Sequence, residues 1–312
     1  MLKKNLIKKI IFSLIFGFIT LSETSQAKII TSVKPIGFIS AAISDNVTET
    51  EILLPDGASS HSYSLKPADL VNLKSAELVV WIGQDMEVFL ANMLKRVDPN
   101  KQIELTQLDP IIHLLQQGHA HEHEENEELA HNHHDHHDSG KFNEHIWLSP
   151  QIAKEIAIVI HSRLIKRYPE KKIQLDQNLR NFVKNLSETE QIIAKELKSV
   201  QNSGYFVFHD AYGYFEEQFQ LNHLGSFTIN PSVQPGLKRI YEIQKELKAK
   251  QAICVFTEPQ FSPSIVAKLV DNTNVKVGTL DPLGMDIPLS KNSYNQFLYS
   301  LAQQFLACLA EK

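Results

Sequence analysis

Residues 169–204 read PEKKIQLDQNLRNFVKNLSETEQIIAKELKSVQNSG, and how this stretch folds decides the architecture. No Gly or Pro interrupts it between Pro169 and Gly204. Leu175, Leu179, Phe182, Leu186, Ile193 and Leu197 recur three, four or seven positions apart, which puts them on one face of a helix. The spacing predicts a single long amphipathic helix over 169–202. Such a helix has no loop hinge within it and acts as a strut between what lies on either side.

Both sides carry an α/β rhythm. Before the strut, 28–33, 51–54 and 77–82 are β-prone runs, ended by Lys34-Pro35, by Pro55-Asp56-Gly57 and by Gly83. Pro67 is suited to the first position of a helix, and Ser149-Pro150 is an N-cap followed by such a proline, opening a helix to about Arg167. After the strut, 205–208, 224–229, 252–256 and 275–280 are strand-like, with helices expected over 236–250, 264–271 and 293–310. Strands alternating with helices imply mostly parallel sheets with crossover helices. The expected fold class is therefore α/β: two similar (β/α) lobes, 28–168 and 203–312, joined by one rigid helix, with a cleft between them.

Residues 1–27 read as a secretory signal. Lys3, Lys4, Lys8 and Lys9 form a basic start, 10–19 an apolar core, and Ser25-Gln26-Ala27 a small-residue cleavage site. The apolar run is short for a membrane span and SETSQ follows it at once. Cleavage after Ala27 is expected, giving an exported, soluble protein. It removes four of 31 basic and one of 36 acidic residues, leaving 27 and 35 and a formal charge of −8. That balance argues against nucleic acid and suits a cationic ligand.

The most unusual composition lies at 118–138, GHAHEHEENEELAHNHHDHHD. His119, His121, His123, His131, His133, His134, His136 and His137 supply eight of the chain's 14 histidines, among Glu and Asp and almost nothing apolar. The tract buries too little surface to offset the entropy of ordering, so it reads as a disordered loop. Its imidazoles suit zinc, copper and nickel. Ligands without fixed geometry make a weak auxiliary collector, and a selective site has to lie elsewhere.

Four residues stand where the cleft would gather them. His61 lies in the loop after the second strand run, and His145 follows the histidine tract. His209 and Asp281 end strands, and in open α/β sheets ligands sit at the carboxyl ends of strands. Taken singly, each histidine reads equally well as a satisfied, half-buried side chain, because no His-x-x-x-His pattern links them. His161, His223 and His113 stay unassigned. Asp210 and Glu258 are candidates to orient imidazole N–H groups, and Trp147 to shield the site from water.

GASSHSYSLKPADL, HIWLSP, FHDAYGYFE, NPSVQPG, FTEPQF and TLDPLG, in this order and spacing, resemble the metal-binding proteins of cluster A-I ABC importers. The resemblance spans essentially the whole mature chain. An acidic His-rich loop is a feature of that family's zinc-specific members. It implies two lobes bridged by one long helix, with metal held between them by His61 and His145 of the first lobe and His209 and Asp281 of the second. It further implies capture of Zn2+ in the periplasm and delivery to an inner-membrane ABC permease, by a monomer that is not an enzyme. Other periplasmic zinc-binding proteins would be further partners.

The family's manganese-binding members carry glutamate where this chain has His209. Three imidazoles and at most one carboxylate favour tetrahedral zinc, although copper and nickel compete. Some zinc-binding members place glutamate immediately before the first histidine; here that residue is Ser60, which leaves the fourth ligand as Asp281 or a water. The resembled proteins often bridge the places of Cys254 and Cys308, the only cysteines, and an exported protein favours the disulfide. Alternative functions are a manganese-binding homologue, an extracytoplasmic zinc buffer working through the loop, and a zinc hydrolase, since three histidines and a water also form a catalytic layout.

Overall fold

The structure, a computed structural model, describes residues 28–117, 142–228, 236–249, 251–261, 266, 269–270 and 273–310. The signal segment expected over 1–27, the histidine tract 118–138, most of the NPSVQPG motif and most of the helix expected over 264–271 lie outside them.

The first lobe holds a parallel sheet of β1 (Lys28–Thr31), β2 (Glu49–Ile52), β3 (Leu78–Trp81) and β4 (Gln102–Glu104), in the order β2-β1-β3-β4. The second holds β5 (Tyr205–His209), β6 (His223–Thr228), β7 (Cys254–Thr257) and β8 (Lys276–Thr279), ordered β6-β5-β7-β8 and again parallel. In each lobe the first strand lies inside the second, so the two sheets repeat one topology. Strand direction reverses its progress across the sheet beside β1 and β5, which opens a crevice at their carboxyl ends. β4 is the strand that periodicity does not announce: three residues, of which only Ile103 is buried.

The strut is the helix Lys172–Leu197, with single 3-10 turns at Pro169–Lys171 and Lys198–Val200. Leu175, Phe182, Leu186, Ile193 and Leu197 are buried; Leu179 is partly buried and packs on the same core. Asn178 interrupts this apolar face with a purpose. Its Nδ2 donates to the carbonyls of Ile43 and Asp45, both at 2.9 Å. Those carbonyls end the Lys34–Ser44 helix, where the last turn has no partners of its own. The Pro150–Arg167 helix begins as its sequence indicates, with Ser149 Oγ accepting from the Ile152 amide at 3.2 Å.

One apolar cluster runs through both lobes and the strut. Phe38 of the first lobe meets Phe297 of the Ser293–Leu309 helix with ring centroids 6.1 Å apart, and Phe182 of the strut meets Tyr294 at 5.8 Å. Polar contacts cross as well: Trp147 Nε1 donates to the Pro282 carbonyl, and Tyr294 donates to the Trp147 carbonyl, both at 2.7 Å. A disulfide joins Cys254 on β7 to Cys308 on the last helix, with Cα atoms 6.1 Å apart. No helix among the described residues is long and apolar enough to cross a membrane.

Candidate metal centre

His61 sits in a turn after β2. Its amide donates to Ser59 Oγ at 3.3 Å. Downstream, Asp69 accepts from the Lys66 amide at 2.7 Å and from Tyr63 Oη at 2.8 Å, which pins the loop to the Pro67–Ser75 helix. His145 precedes the 3-10 turn Ile146–Leu148 that leads into Ser149. Its amide donates to Asn143 Oδ1 at 3.0 Å. His209 is the last residue of β5, at the carboxyl edge of the second sheet.

The structure brings these three histidines together. One ring nitrogen from each lies within 4.8 Å of the others, and no further group of three or more His, Cys, Asp or Glu does so among the described residues. His61 Nε2 and His145 Nε2 are 3.4 Å apart. Ring centroids are 5.4 Å apart for His61 and His145, 5.1 Å for His61 and His209, and 4.7 Å for His145 and His209. The cavity they line is about 20 Å³, walled by Ser60, Trp147, Phe261 and Leu283 among others.

Burial, and after it the neighbouring His209 ring, lowers the pKa of His61 from 6.5 to about 3. Burial again, then His209 and His61, holds His145 well below the usual value. These two rings are neutral at pH 7 and carry a free lone pair, as a metal requires. Both ring nitrogens of His209 are buried without a hydrogen-bond partner among the described residues. An orphaned donor–acceptor of this kind is costly unless a ligand satisfies it. Glu258 Oε1 stands 3.4 Å from His209 Nδ1, near enough to orient that ring. The donor set therefore fits a borderline-soft divalent cation.

Asp281 is placed differently. Its Oδ1 accepts from the amides of Leu283 and Gly284, both at 3.0 Å, and its Oδ2 from the Met285 amide at 2.6 Å. The carboxylate organises the loop that presents Pro282 to Trp147, and it is not part of the three-nitrogen cluster. Asp210 does not line the cavity; its charge acts on His223, which pairs with Glu216 at 3.1 Å. His161 pairs with Asp176 of the strut at 2.9 Å. His113 is exposed. Trp147 is fully buried against the site, its ring centroid 5.2 Å from that of His145. Asn143, Gln260 and Phe261 are neighbours of the site that the sequence does not single out.

Comparison with known proteins identifies the family. Residues 29–308 match the family described as ZnuA, zinc-uptake complex component A, periplasmic. The high-affinity zinc uptake system protein ZnuA of Yersinia pestis is 50% identical over 292 residues, covering 91% of this chain and 92% of that protein. Its counterpart from Haemophilus ducreyi is 41% identical over 310 residues, covering 97% and 99%. Among solved structures, a crystal structure of ZnuA is similar with a TM-score of 0.74 at 23% identity, covering 92% of this chain and all of that one. The periplasmic zinc-binding protein TroA of Treponema pallidum has a TM-score of 0.75 at 15% identity, with the same coverage. Two parallel-sheet lobes on a helical strut, a largely buried three-histidine cluster between them and a match over residues 29–308 together place the chain in the ZnuA family of periplasmic zinc-uptake components.

Proposed function

We propose that this protein captures one Zn2+ between its lobes with His61, His145 and His209 and hands it to an inner-membrane ABC permease. The observation that carries the reading is the spacing of the ligands. Two nitrogens at about 2.05 Å from a tetrahedral ion stand roughly 3.3 Å apart, and His61 Nε2 and His145 Nε2 are separated by 3.4 Å. The fourth position is open to Asp281 or to a water, since Ser60 supplies no carboxylate.

A carrier is favoured over a hydrolase by the size of the cavity. About 20 Å³ accommodates roughly one water-sized body, which needs about 10–15 Å³ by the same measure. That space suits an ion and a water better than an organic substrate. The sequence supports a cleaved export signal at 1–27, lobes at 28–168 and 203–312 around the strut 169–202, and a monomer. It also supports a second, weaker role for 118–138. That tract gathers zinc through its imidazoles when the ion is scarce and passes it inward.

The test is calorimetric titration with zinc and with manganese, on the full mature chain and on one lacking 118–138. One tight zinc site that survives the deletion supports the carrier. Loss of nearly all zinc binding with the tract indicates a buffer instead, and a preference for manganese indicates that the metal is misassigned.

A further inference from the structure

The ligand with the most elaborate support is His145, and that support crosses the lobe boundary. Asn143 Oδ1 receives two N–H groups of the same residue, the His145 amide at 3.0 Å and the His145 ring through Nδ1 at 2.9 Å. The amide can only donate, so the Asn143 atom is the carbonyl oxygen and not the NH2 group. An oxygen without a proton then requires Nδ1 to carry one. The free lone pair of His145 is thereby assigned to Nε2, the atom that faces His61 Nε2.

Asn143 is itself held in place. Its amide donates to the Gln116 carbonyl at 2.9 Å, beside the antiparallel bridge between Gln117 and Phe142. Its carbonyl accepts from Tyr214 Oη at 2.7 Å, and the same hydroxyl accepts from the Gln116 amide at 3.1 Å. Gln116 Nε2 reaches the Gly213 carbonyl at 3.2 Å and the Glu217 carboxylate. Tyr214 and Gly213 belong to the second lobe, in the Gly213–Phe219 helix that begins four residues after His209. Gly213 is needed for the approach. A Cβ there would lie 2.8 Å from Gln116 Oε1 and 3.1 Å from Asn143 Nδ2. One short stretch of the second lobe thus supplies a ligand and also braces the residue that orients a ligand of the first lobe.

We propose that Asn143 is a positioning residue for zinc capture, which fixes the tautomer and ring plane of His145 and is braced across the lobes by Tyr214 and Gln116. The inference rests on the zinc-binding reading of the triad and adds to it the element that presets His145 before the ion arrives. Preset ligands keep the binding free energy that loose ones lose to ordering.

The test uses the mature chain and its Asn143→Leu, Asn143→Asp, Tyr214→Phe and His145→Ala variants. Zinc affinity is read by competition with a chromophoric chelator, and the His145 tautomer by long-range 1H–15N correlation on the zinc-free protein above pH 7. The wild type should show the Nδ1–H tautomer. Asn143→Leu should lose it and weaken zinc about 10–100-fold. Asn143→Asp keeps an acceptor and should retain the tautomer and come within a few-fold of wild-type affinity. Tyr214→Phe should weaken zinc by roughly 2–10-fold. An Nε2–H tautomer in the wild type overturns the inference without any variant. So does an Asn143→Leu protein with unchanged tautomer and affinity while His145→Ala has lost the site. Wild-type binding by His145→Ala overturns the triad itself, and the inference with it.

Discussion

His61 Nε2 and His145 Nε2 lie 3.4 Å apart across the first lobe's side of the cleft. That is too close for two protonated rings and close to what one tetrahedral cation requires. Burial first, and the neighbouring His209 ring after it, set the pH behaviour. With His61 lowered to about 3 and His145 lower than usual as well, the folded chain stays neutral here while the unfolded chain takes up protons below about 6.5. The unfolded state then binds more protons, so stability falls as pH falls through this range. Zinc-free protein should lose midpoint denaturant concentration from about pH 6.5 downward, and His61→Gln should flatten that slope. An unchanged slope in the variant would mean the rings titrate normally.

Glu87 makes the opposite contribution. It is fully buried, its Oε2 accepts from the Ile82 and Gly83 amides at 2.7 and 3.3 Å, and burial raises its pKa to about 7. A raised carboxyl favours folding at low pH and loses that advantage as pH rises from about 4.5 through 7. The change is on the order of 3 kcal/mol. Glu87→Gln keeps an acceptor for both amides and cannot ionise. It should match the wild type near pH 5 and exceed it in melting temperature at pH 8. A variant less stable than wild type at pH 8 would show that the charge is needed.

Asp281 should act mainly through its loop. It holds three successive amides of 283–285, and hydrogen bonds to a charged acceptor contribute roughly 1.5–3 kcal/mol each when intact. Asp281→Ala is expected to lower the melting temperature and to weaken zinc less than His61→Ala, His145→Ala or His209→Ala, each of which should cost orders of magnitude. A loss equal to that of the histidine variants would establish the carboxylate as a direct ligand.

The disulfide tests stability apart from binding. It closes a 54-residue separation, for which loop-closure entropy gives roughly 4 kcal/mol. Cys254 begins β7, at the end away from the cleft. The double Cys254→Ala, Cys308→Ala protein should therefore melt lower by on the order of 10 °C while binding zinc as wild type does. Weakened zinc binding at a temperature where the variant is fully folded would couple the two.

Much of this was legible in the residues because it follows from short-range rules. The strut declares itself by apolar spacing with no Gly or Pro, and the helix after Ser149-Pro150 by its cap. His209 lies at a strand end for the reason the sequence suggests. What escaped depends on how the backbone folds and not on the spacing of residue types. Asn178 looks like a flaw in an apolar face until the end of the Lys34–Ser44 helix is set against it. β4 is too short to show a period. Asn143 lies two residues from His145, yet its role appears only once the backbone turn brings its oxygen to Nδ1. Asp281 precedes Pro-Leu-Gly, a turn-forming run, and its hold on the amides of 283–285 appears only in the folded loop.

The lobes share one apolar cluster with a continuous helix, and hinges need loop residues that absorb large backbone changes. Zinc-free and zinc-loaded scattering profiles should therefore nearly superpose. A large change in radius of gyration would require a hinge that this packing does not provide.

The most direct measurement is anomalous diffraction at the zinc edge from crystals grown with one equivalent of Zn2+. A single strong peak should lie about 2.0–2.1 Å from one nitrogen each of His61, His145 and His209. A principal peak elsewhere, or one coordinated by fewer than all three histidines, would contradict the assignment.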